Sequence, residues 1–222
     1  MEKGKQNKLK GGKTNIELYV QLGIIILLAV VIAFNTGKIY SSSGSGLATG
    51  IGIVSASEII PKGVPAVYGT ELGVSYDDVL PDNPRLADAT ITKLAQSEDL
   101  DLTTEQMARY IKIGSAISCE YCCGAQAIIF SNGERACGCA HSYAMRGLAK
   151  YLLINHPEMS DLDILNELGK WKVLFFPGIH EEKAQALEAN GVDSTNYINL
   201  ASNLYRGIEN GQGSSGEMVG GC

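Results

Sequence analysis

The sequence predicts a mainly α fold: one N-terminal transmembrane helix, then a small helical domain with a cysteine-bearing β-hairpin. Three observations carry this expectation. Leu18 to Gly37 is uncharged and rich in Ile, Leu and Val. The chain beyond residue 80 shows repeated helical spacing of apolar residues with capping signals. Five of the six cysteines lie between Cys119 and Cys139, on either side of an Asn132-Gly133 turn.

The first 15 residues are polar and lysine-rich, and read as a cytoplasmic basic tail. Residues 16–37 follow as the predicted membrane helix, since twenty helical residues span roughly 30 Å, a bilayer core. The lysines precede the apolar run and only Lys38 follows it closely. That asymmetry predicts a single-pass protein of the cell membrane, with a cytoplasmic N-terminus, a main domain outside the cytoplasm, and lipid as a partner. A cleaved signal peptide is the competing reading, but no small-x-small site directly follows the run. A weaker one is a prepilin-like start at Gly12, with Glu17 in its fifth mature position. Ser41 to Gly46 breaks the helix and makes residues 38–60 a flexible linker.

Residues 61–206 form the predicted cysteine-rich helical domain. Its early part, with several Gly and Pro, reads as turns and short extended pieces. Asn83-Pro84 opens a helix to about Gln96, because Pro in a first turn forfeits no internal bond. Thr103-x-x-Gln106 is a capping box that starts a second helix, with Met107, Ile111 and Ile117 on its apolar face. This helix delivers the chain to Cys119. After the cysteines, Ser142 to Asn155 has Ala144, Leu148, Tyr151 and Leu152 at helical spacing. Ser160 caps the next helix, with Asp161 and Asp163 suiting the dipole of its first turn. Phe176-Pro177-Gly178 is expected to stop it. Glu181 to Glu188 and an apolar segment from Tyr197 complete the domain, and residues 207–222 read as a mobile Gly- and Ser-rich tail ending in Cys222.

Beyond the N-terminal lysines and their two glutamates, 13 basic residues face 22 acidic ones, a net of −9. Such a surface repels phosphate backbones, so no nucleic-acid partner is expected; a protein partner is compatible with it. No phosphate-binding glycine loop, dinucleotide fingerprint, hydrolase elbow or His-Glu-x-x-His occurs.

The cysteine stretch supports three chemistries. In the leading one, a hairpin through Asn132-Gly133 brings Cys137 and Cys139 beside Cys119, Cys122 and Cys123. The ligands are then Cys119, Cys122, Cys137 and Cys139, with Cys123 and His141 as further donors. Thiolates and imidazole at such spacing hold zinc, copper(I) or an iron–sulfur centre, for metal capture or transfer. Met145, one turn after His141, is more readily core than ligand. The runner-up is a disulfide-stapled interaction domain at the cell surface. The third is a thiol-redox protein using the Cys119-x-x-Cys122 pair. His156 reads as a helix C-cap, His180 as part of a solvated helix start, and the paired aspartates as caps.

The pieces Ile117-Ser-Cys-Glu-Tyr-Cys-Cys-Gly, Ala136-Cys-Gly-Cys-Ala-His-Ser-Tyr-Ala-Met-Arg-Gly-Leu and Met218-Val-Gly-Gly-Cys resemble those of uncharacterised archaeal proteins with one N-terminal membrane segment. The resemblance extends over most of residues 60–222 and implies no activity.

Overall fold

The structure, a computed structural model, describes residues 56–210 together with Tyr19, Gln21, Ile25, Met218 and Val219. The chain divides into two compact units, residues 1–49 and 50–222. The second is a helical domain. In chain order its helices are α1 (Ala56–Ile59), α2 (Gly69–Leu72), α3 (Pro84–Ala95), α4 (Thr104–Ser115), α5 (Glu120–Cys123), α6 (Ala140–Asn155), α7 (Asp161–Phe175), α8 (Pro177–Ala189) and α9 (Tyr197–Ala201). Short 3₁₀ turns occupy Tyr76–Asp78 and Asn203–Tyr205.

α6 is the centre. It packs against α3, α4 and α7, while α9 lies on α7 and α8. Its buried side includes Ala144, Met145, Leu148, Leu152 and Leu153, so Met145 is core. Small residues let the helices approach. A Cβ on Gly147 would overlap the Leu94 carbonyl oxygen and lie 2.7 Å from Ala95 Cα, both backbone atoms of α3. Backbone cannot step aside as a side chain can. Gly147→Ala is therefore expected to lower stability by about 1–3 kcal/mol despite the better helix propensity of alanine. An unchanged urea midpoint would remove this account of the α3–α6 contact.

Local signals set most helix starts. Asn83 caps α3 with Pro84 in its first turn, and Thr103–Gln106 and Ser160–Asp163 both form reciprocal capping boxes. Asp78 likewise completes a box with Ser75. Pro177 behaves otherwise than expected. It opens α8 directly, because only an N–H without an intrahelical partner is lost at that position. Phe176, at φ −138° and ψ 58°, makes the bend between α7 and α8.

Two parts of the expected architecture are corrected. Among the described residues there is no β-strand; the predicted hairpin is reduced to one antiparallel bridge between Ile129 and Arg135. The turn itself forms, with Gly133 at φ 86° and the Phe130 N–H donating to Glu134 O at 2.7 Å. The ladder does not extend because the Ile128 N–H is taken by the end of α4, donating to Gly114 O at 3.3 Å and Ile117 O at 3.0 Å. The second correction concerns the membrane. The predicted span, residues 16–37, lies outside the described residues except for Tyr19, Gln21 and Ile25, which are helical. Among the described residues no helix is long and apolar enough to cross a membrane, so the single-pass anchor and its cell-membrane location are not sustained.

Candidate metal centre

α5 is a single turn. Cys119 is its N-cap, and Gly124, at φ 68°, ends it in the left-handed conformation that glycine adopts without a Cβ clash. One turn places Cys119 and Cys123 four residues apart on the same side. The returning loop then meets both. Cys137 forms a disulfide with Cys123. Cys139 Sγ lies 3.2 Å from Cys119 Sγ and 3.5 Å from Cys137 Sγ. Cys122 is also disulfide-bonded, and among the described residues Cys119 and Cys139 are the free thiols.

Cys139 is the N-cap of α6, where its Sγ accepts the Ser142 N–H at 3.4 Å. His141 follows in the first turn. Cys119, Cys139 and His141 each offer one ligand atom, and these atoms lie within 4.8 Å of one another. Cys119 and His141 expose no surface and Cys139 keeps 7%, so the group faces the core.

The histidine is oriented by a backbone oxygen. His141 Nε2 is 2.8 Å from Val219 O, and a carbonyl only accepts, so Nε2 carries the hydrogen. Nδ1 is left as a bare lone pair, buried and without a hydrogen-bond partner. This is the outer-sphere pattern of metal-ligating histidines, in which the far nitrogen donates to an oxygen. Val219 is itself fixed, since its N–H donates to Phe175 O at 2.9 Å. The chain thus returns to the core at Val219, within the expected mobile tail. The imidazole also packs on Phe175 and Phe176, with ring centroids 4.6 and 5.1 Å away.

The two sulfurs are close enough for one hydrogen bond, so their ionisations oppose each other. The contact with Cys119 holds Cys139 well below the ordinary thiol range despite burial, with help from Ser142. The same contact, then burial, pushes Cys119 up. A buried pair that surrenders one proton readily and retains the second suits a cation that displaces both.

Two buried ion networks hold the site in place, and the helical pattern did not single out either. Arg146, fully buried on α6, donates to Glu98 Oε1 at 2.7 Å, to Ile128 O at 3.1 Å and to Cys137 O at 2.8 Å. It thereby clamps the loop that carries Cys137 and Cys139. Arg135 pairs with the same Glu98 carboxylate from the solvent side. On α5, Glu120 faces three cations: Lys172 Nζ at 2.8 Å, Arg206 Nε at 3.3 Å and Lys183 Nζ at 3.7 Å. Lys172 and Lys183 are fully buried. Burial, only partly offset by Glu120, lowers Lys172 to about 8. The available signal was a lone charge inside an apolar run: Arg146 between Met145 and Gly147, Lys172 between Trp171 and Val173.

The other singled-out residues serve packing and surface pairing. His156 ends α6 and contacts Glu71 Oε2 at 3.0 Å. His180 is buried, not solvated; its Nδ1 meets Phe176 O at 2.8 Å and its ring stands edge-on to Tyr121. Asp161 pairs with Arg109 and Lys112 at 2.7 and 2.8 Å.

The structure therefore brings three of the six sequence-predicted donors, Cys119, Cys139 and His141, to one point. Cys122, Cys123 and Cys137 are engaged in disulfides. No family model matches the chain, and no curated protein or solved structure shows significant similarity to it.

Proposed function

We propose that this protein captures and holds one soft cation, zinc(II) or copper(I), between the thiolates of Cys119 and Cys139 and Nδ1 of His141. The observation that carries the reading is the buried, unpartnered Nδ1 beside two free thiols, its tautomer fixed by Val219. Leaving such a nitrogen desolvated and unpaired is unfavourable; a metal bond satisfies it. Two thiolates neutralise zinc(II), which a dry core tolerates, and a three-donor set also suits copper(I). An iron–sulfur cluster fits poorly, because it needs more thiolates than the two that are free among the described residues. The Cys123–Cys137 disulfide joins α5 to the loop and keeps the two halves of the site together.

The reading is tested by equilibrium competition between the metal-free full chain and a chromophoric chelator, with the disulfides left intact. One equivalent of zinc(II) or copper(I) is expected. Cys139→Ser and His141→Phe are expected to weaken it by more than the ~10–100-fold that loss of an outer-sphere partner costs. The phenyl ring preserves packing on Phe175 and removes the Nδ1 ligand together with the Nε2 hydrogen bond to Val219 O. If both variants bind as tightly as the parent, the site lies elsewhere.

A further inference from the structure

The sulfur atoms of the free pair and of the neighbouring disulfide form a continuous row. Cys119 Sγ is 3.2 Å from Cys139 Sγ, which is 3.5 Å from Cys137 Sγ, which is bonded to Cys123. One thiol within contact distance of a disulfide, with a second thiol against the first, makes an exchange system, because thiolate attack on sulfur needs only approach and a leaving thiolate. We propose that this row is an internal disulfide relay, able to move the bond from Cys123–Cys137 to Cys119–Cys139 and so to close the metal site from within. The regulation rests on the metal-holding role; the exchange stands on the row of sulfur atoms alone.

The steps balance without an external oxidant. In the first, the Cys139 thiolate attacks Cys137 Sγ. The Cys137–Cys139 bond forms, the Cys123–Cys137 bond breaks, and Cys123 leaves as a thiolate. It takes up the proton that Cys119 gives up. In the second, the Cys119 thiolate attacks Cys139 Sγ. The Cys119–Cys139 bond forms and Cys137 leaves as a thiolate. The Cys119/Cys139 dithiol is oxidised by two electrons and the Cys123–Cys137 disulfide is reduced by two. Gly138, between Cys137 and Cys139, is exposed and meets no atom within 4 Å of its would-be Cβ, so the link that must bend has room to do so. A cation held by Cys119 and Cys139 occupies the electron pairs that the relay uses. Metal occupancy and the Cys119–Cys139 disulfide are therefore mutually exclusive, and cation release frees the relay to convert the site to a form that cannot reload.

The experiment uses the full chain, free of added thiol and oxygen, with and without one equivalent of zinc(II). Samples are acid-quenched over time, free thiols are alkylated, and peptides are mapped by mass spectrometry. Without metal, alkylation is expected to be lost at Cys119 and Cys139 and gained at Cys123 and Cys137. With zinc(II), the label should stay on Cys119 and Cys139. Cys119→Ser should stop at the first step, with Cys123 labelled and Cys137 linked to Cys139. If that variant does not fold, the unaltered chain carries the test alone. Label confined to Cys119 and Cys139 throughout the metal-free series overturns the relay while leaving metal binding standing. Redistribution that ignores zinc(II) supports the relay and removes its coupling to the metal.

Discussion

Arg146→Ala is expected to lose about 3–5 kcal/mol of stability, the cost of stripping one partner from a buried ion pair. The arginine has no exposed side-chain surface and Glu98 has 3%. Burial alone would raise the Glu98 carboxyl, but Arg135 and Arg146 outweigh it and hold it below the usual carboxylate range. Without Arg146 only the outer guanidinium remains, and the carbonyls of Ile128 and Cys137 lose their donor as well. Lysine does not restore the site, because one ammonium cannot span a carboxylate and two carbonyls as the planar fork does. Arg146→Lys should therefore sit near the alanine variant, and both should bind metal more weakly than the parent because the Cys137-Gly138-Cys139 knuckle is freed. Urea unfolding measures the first effect and chelator competition the second. A lysine variant as stable as the parent would mean that charge alone, not the fork, is what the loop requires.

Glu120→Ala is expected to cost a similar ~3–5 kcal/mol near neutral pH, since it leaves two fully buried lysines without their carboxylate. The pH dependence separates this from simple loss of packing. Lys172 titrates at about 8 in the folded chain, below the ordinary lysine value that it regains on unfolding. Between those two values the unfolded chain holds a proton that the folded chain has released, so stability rises with pH across that window. The neutral amine no longer needs Glu120. Removing the carboxylate lowers Lys172 further, so the deficit of the variant should shrink as pH climbs toward about 8, where the parent's lysine also sheds its proton, and stay level above that. At the acidic end the sign reverses. Glu120 is held below the usual carboxylate range by its cations against the opposing effect of burial, so its contribution is lost as pH falls through the native value. Unfolding curves at neutral pH and at about pH 9.5, above the folded value of Lys172, decide the matter. An equal deficit at both would show that the carboxylate does not act through Lys172.

The sequence made local chemistry legible. Asn83-Pro84, Thr103–Gln106 and Ser160–Asp163 mark helix starts by hydrogen bonds that span three residues or fewer, and these formed. The meeting of Cys119 with Cys139 could be anticipated from two cysteine knuckles flanking a turn. Which sulfur bonds to which could not, because the pairing follows from the one-turn α5 setting Cys119 beside Cys123 rather than beside Cys122. Pro177 looked like a stop because a proline disrupts a helix interior, yet the same ring suits a first turn. The hairpin failed for a tertiary reason: the end of α4 claimed the donor on Ile128. The pairing of Lys172 and Lys183 with Glu120 was unreadable because that carboxylate is supplied by the tertiary arrangement and not by any periodic pattern.

X-ray absorption at the zinc K-edge of the full chain, loaded with one equivalent of zinc(II) and with its disulfides intact, is the most direct measurement. The account predicts two sulfur scatterers at about 2.3 Å and an imidazole nitrogen at about 2.0 Å, with the nitrogen signal lost in His141→Phe. A shell of light atoms alone, or one unchanged by that substitution, would contradict it.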